Sequence, residues 1–100
     1  MPDPVTTIMT FRWRGVTARV AITRNHRIDG WTLLVVKVEE PRQEPLPFAL
    51  GGTRTHGLEE EELQRAGGVA AYLHAWADRE ARSAAYVAAQ NRWRQGDLFR

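Results

Sequence analysis

An α+β fold, with a three- to four-stranded, mainly antiparallel sheet followed by C-terminal helices packed on one face, is predicted by three observations. Residues 6–37 place apolar and polar side chains in alternation, the strand period. After residue 57 the apolar spacing changes to the helical one of about 3.6 residues. Turn residues separate these segments, so strands come first and helices second. With 100 residues the chain has room for one domain and one modest core. Residues 1–90 are read as that domain and residues 91–100 as a flexible tail.

The segment "TTIMTFRWRGVTARVAIT" predicts two strands about a tight turn at Arg14 and Gly15. Phe11 and Trp13 share one face of the first strand, and Ala18, Val20 and Ile22 share one face of the second. After the polar "RNHRIDG", "WTLLVVKVE" is a third strand, apolar on both faces from Leu33 to Val36, as a central strand or a dimer contact would be. The prolines of "EEPRQEPLP" predict an exposed loop. "FALGGTRTH" predicts a short fourth strand, bent at Gly51 and Gly52.

"GLEEEELQRAGG" predicts a short helix with glutamates at its positive end and a glycine pair as its stop. In "VAAYLHAWADREARSAAYVAAQNRW" the residues Val69, Tyr72, Leu73 and Trp76 form an apolar stripe, which leaves the core at Glu80. Ser83 marks a break or bend, beyond which Ala84, Val87 and Ala88 continue a narrower apolar face.

The composition limits the chemistry. No cysteine is present, so disulfides, a thiol nucleophile and thiolate metal sites are excluded. The longest apolar run, residues 31–36, is far short of the roughly 18 residues that suggest a membrane span. The first residues carry no secretory signal pattern, so the cytoplasm is the expected location and no membrane contact is expected. Residues 1–38 carry net charge +4, residues 39–62 carry −5 and residues 63–100 carry +3, and Lys37 is the only lysine. Such basic flanks around an acidic middle suit a protein partner as well as a nucleic acid.

Arg12 and Arg14, with Arg19 on the next strand and Arg24 and Arg27 in the following segment, are the candidate nucleic-acid contacts. The simpler account is an aromatic core face with solvated arginines behind it. His26, Asp29 and His56 are the polar residues to follow for convergence, although their spacing demands neither a metal site nor acid-base chemistry. His74 falls beside the Tyr72–Trp76 stripe, and Ser83, the only serine, lacks nucleophile-elbow glycines. "GGTRTHG" is followed by four glutamates that would repel a phosphate. No cofactor, metal or catalytic set is expected.

Residues 92–100 read "RWRQGDLFR". Within them, Gln95-Gly96-Asp97-Leu98-Phe99 resembles the short peptide by which bacterial replication and repair proteins attach to the sliding clamp, of the pattern Gln, any residue, Ser or Asp, Leu or Met, Phe. The resemblance covers these five residues only. It implies that Gln95 seats its amide in a polar subsite, Asp97 shapes the backbone, and Leu98 with Phe99 fills an apolar pocket. Arg92 and Arg94 would add salt-sensitive attraction to an acidic rim or to DNA phosphates. The expectation is a non-enzymatic accessory protein that docks on the sliding clamp in replication, repair or interference with either. The competing expectation is a homodimeric structural domain with Leu98 and Phe99 packed internally; a small enzyme or nucleic-acid-binding domain is a third.

Overall fold

Arg14 and Gly15 both take positive φ, 46° and 81°, the two-residue turn geometry whose twist matches that of the strands it joins. This turn connects β1 (Val5–Trp13) to β2 (Val16–Arg24). The strands β3 (Trp31–Glu40) and β4 (Thr53–Glu59) complete a four-stranded antiparallel sheet in which sequence neighbours are sheet neighbours. The helices α1 (Glu60–Ala66), α2 (Val69–Glu80) and α3 (Ala84–Leu98) follow. This computed structural model describes residues 5–24 and 29–98, without the side chains of Val5, Asp97 and Leu98.

The alternation of the strands fixes two unlike faces. Phe11, Trp13, Val16, Ala18, Val20, Ile22, Leu34, Val36 and Val38 are buried on one of them, where Leu63, Val69, Leu73 and Ala77 from α1 and α2 join the same core cluster. Tyr72 and Trp76 pack against it from the side, as the stripe predicts. Trp13 also donates its indole N–H to Asp78 over 2.9 Å, which pins the end of α2 to the first hairpin. The α+β arrangement with helices on one sheet face is therefore the one present.

Three boundaries follow from local chemistry. Gly67, at φ 96°, ends α1 in the left-handed conformation that costs a glycine least, and its N–H and that of Gly68 bond back to Gln64 and Leu63. The hydroxyl oxygen of Ser83 accepts the N–H of Tyr86 over 3.1 Å, capping α3, so the predicted break falls there. Glu60, the first residue of α1, accepts hydrogen bonds from Thr32 (2.6 Å), Gln64 (3.0 Å) and Arg24 (3.2 Å), tying the helix start to β2 and β3.

Two segments differ from the sequence-based expectation. The proline-rich loop is exposed only over Pro41, Arg42 and Gln43, whereas residues 45–49 are buried and Leu46 is 0% exposed. The segment turns back on itself through paired Leu46–Ala49 backbone hydrogen bonds, which satisfies the polar groups and lets Leu46 and Phe48 extend the core beyond the strands. Phe48 then stacks on Trp76 with ring centroids 4.7 Å apart. The fourth strand accordingly starts at Thr53 rather than Phe48 and runs through Gly57 to Glu59. There it pairs with Trp31–Lys37, and this pairing overrides the helical pattern expected from residue 57.

Candidate functional site

Residues 91–98 form the last two turns of α3, so the segment read as a tail from residue 91 is helical as far as Leu98. Among the described residues, four fasten this helix to the body. The Tyr86 ring meets Trp13 edge-on at 6.0 Å, Ala89 is buried, Gln90 Nε2 donates to Glu44 Oε1 over 3.1 Å, and Trp93 Nε1 donates to the Arg42 carbonyl over 3.3 Å. Beyond Trp93 the character changes: Arg94, Gln95 and Gly96 are exposed, as is Arg92 before it. Among the described residues, no hydrogen bond or ion pair ties Arg92, Arg94 or Gln95 to the sheet. The expected pocket-filling pair is only partly placed, since the Leu98 side chain and all of Phe99 lie outside the described residues, as does the Asp97 side chain.

The last turn is also poorly suited to staying helical. Gly96 costs about 1 kcal/mol relative to alanine within a helix. No basic residue occurs in the final turn to offset the negative end of the helix dipole.

The sequence-derived basic set divides. Arg12 and Arg19 share the uncovered face of the sheet, as diagonal neighbours through the pairs Arg12–Thr17 and Thr10–Arg19. Arg24 lies on the opposite face, bonded to Glu60 over 3.2 Å, and does not join them. Arg14 sits in the turn with its guanidinium 4.5 Å from the Trp13 ring centre. Arg27 and His26 lie outside the described residues. Lys37, not among the sequence-derived contacts, is directly opposite Arg19 across the β2–β3 pair.

Asp29 and His56 line separate hollows, which share Trp31 and Glu59 as walls. No group of three or more His, Asp or Glu able to hold a metal ion occurs among the described residues. Comparison with family models, curated proteins and solved structures gives no match. His56 instead lies 3.1 Å from the Tyr72 hydroxyl and packs on Trp76 with ring centroids 4.5 Å apart. Burial and the nearby Arg54 hold its pKa below the ordinary 6.5, opposed in part by Glu62. Burial raises the Tyr72 phenol above its ordinary 10.0, so both groups are neutral near pH 7. A groove of about 500 Å³ runs past this pair, lined by Trp31, His56, Gly57, Glu62 and Tyr72 among others. A Cβ at Gly57 would lie 3.0 Å from the Trp31 ring, so a larger residue there would make the indole shift by a few tenths of an ångström. Sequence reasoning missed the His56–Tyr72 pairing because the two residues belong to different elements, a strand and a helix with α1 between them. His74 is exposed and sets its ring edge-on to Phe11 at 4.8 Å, a packing role. No helix among the described residues is long and apolar enough to cross a membrane.

Proposed function

We propose that this chain is an accessory interaction protein that docks on the bacterial DNA polymerase sliding clamp through Gln95–Phe99, at the end of α3. The observation that carries the reading is a complete clamp-type pentapeptide whose first two residues, Gln95 and Gly96, are exposed in α3 beyond its hydrogen bond from Trp93 to the body. Docking requires the last turn to unwind, because the pattern it resembles binds as a short peptide with two adjacent apolar anchors. Unwinding beyond Trp93 leaves the core cluster untouched, since among the described residues none after Tyr86 belongs to it.

Gln95 then supplies the polar contact, Asp97 shapes the peptide, and Leu98 and Phe99 bury the apolar surface that gives affinity. Five residues cover less than the roughly 1,000 Å² of a durable interface, so the complex exchanges rapidly unless other contacts join. Arg92 and Arg94, exposed just before the peptide, supply a screened electrostatic attraction. The test is a salt series with two variants of the whole protein. Arg92→Ala with Arg94→Ala weakens clamp binding several-fold at low salt and much less at high salt. Phe99→Ala is damaging at every salt concentration, because its loss is one of apolar burial. Binding that ignores Phe99→Ala removes the assignment.

A further inference from the structure

Arg19 stands directly opposite Lys37, an arrangement in which like charges destabilise a strand pair. The register continues on both sides, with Thr10 opposite Arg19 and Thr53 opposite Lys37. One row across all four strands therefore presents hydroxyl, guanidinium, ammonium and hydroxyl, and all four residues are exposed. It spans three strand spacings, about 14 Å, and Arg12 flanks it on the diagonal. The acids next to the row are Glu39, the bulge residue two positions after Lys37, and Glu40, opposite Thr17; among the described residues no ion pair joins either to Arg12, Arg19 or Lys37.

A second row runs parallel to the first, two residues further along each strand. It consists of Ile8, Ala21, Val35 and Thr55, with Ile8 49% exposed and Ala21 and Val35 half-buried. Leu33 and the Trp31 indole continue this apolar surface toward the far end of the sheet. The helices lie on the other face, and none of the described elements covers this one.

We propose that the uncovered sheet face binds a single-stranded nucleic acid laid across the strands, its phosphates along the Thr10–Arg19–Lys37–Thr53 row and its bases against the Ile8–Ala21–Val35 row. The donors match phosphate oxygens, since the row offers two cations and two hydroxyls. The apolar row accounts for single strands rather than duplex, whose bases are turned inward. The face is separate from the end of α3, so this binding stands or falls independently of clamp docking.

The test uses the whole protein and a fluorescent oligothymidylate of about 15 nucleotides, the upper range of such site sizes. Anisotropy is expected to show saturable binding below about 100 μM at low salt. Three contacting cations predict about a 20-fold loss of affinity between about 50 and 200 mM salt. Replacing Arg19 and Lys37 together by serine relieves a repulsion, so the fold is retained while binding weakens at least about tenfold and its salt dependence flattens. Phe99→Ala binds the oligonucleotide as the parent does. Absence of binding, indifference to the double substitution, or equal affinity for a duplex of the same length overturns the proposal. So does light scattering that shows a homodimer dispersed by Ile8→Lys, because the face is then covered by a second copy.

Discussion

The indole N–H of Trp93 bonded to the Arg42 carbonyl over 3.3 Å is the last hydrogen bond, among the described residues, that holds α3 to the domain. Residues before it are set by Tyr86, Ala89 and Gln90. Among the described residues, none after it has a hydrogen bond or ion pair outside its own helix, and that division gives the docking proposal its mechanical content.

Gly96→Ala follows directly. Alanine strengthens the last turn by about 1 kcal/mol and leaves the open second position of the peptide pattern satisfied. In the whole protein it is expected to weaken clamp binding about fivefold, since 1 kcal/mol is about a factor of five. In an isolated peptide of residues 90–100, too short to form a stable helix, the same change has little effect. Equal effects in protein and peptide would show that unwinding is not part of docking.

Leu46→Ala tests the loop that folds into the core. Leu46 is fully buried, so its truncation is expected to cost about 2–5 kcal/mol, as for a leucine within a core strand or helix. Chemical denaturation measures it. A loss below about 0.5 kcal/mol, the range of surface substitutions, would contradict the packing described.

Glu60 links α1 to the sheet through a carboxylate whose pKa is held below the ordinary 4.5, chiefly by the Thr32 hydroxyl, then by Gln64 and Arg24. A depressed carboxylate contributes stability above pH 4.5 that disappears as pH falls through its lower folded pKa. Glu60→Gln is expected to cost about 1 kcal/mol near neutrality and nothing at the acid end of that window. Melting curves of both proteins from neutral to acidic pH should converge; a constant gap contradicts the linkage.

His56 acts in the opposite chemical sense with the same direction in pH. Its folded pKa lies below 6.5, so the unfolded chain binds the proton more readily, and stability falls as pH drops below 6.5 until the folded imidazole also titrates. An NMR titration that places the folded midpoint at or above 6.5 would refute the burial argument.

Much of the fold was legible where a local rule decides it. The Arg14–Gly15 turn, the Gly67–Gly68 stop and the Ser83 break each rest on backbone chemistry within a few residues. Residues 45–49 escaped because prolines mark a loop without saying whether it folds inward. The Arg19–Lys37 pair escaped for a different reason. A bulge between Thr17 and Ala18 and the long connection from β2 to β3 leave the register of those strands undetermined by turn rules. Arg24 groups with the other arginines by sequence position, which does not show that Glu60 claims it on the other face.

Clamp docking is tested most directly by titrating the purified whole protein against a purified bacterial sliding clamp, alongside a variant carrying Leu98→Ala and Phe99→Ala. Saturable binding at or below about 100 μM is expected for the parent, and none for the variant, whose thermal unfolding stays nearly unchanged. No binding by the parent, or undiminished binding by the variant, contradicts it.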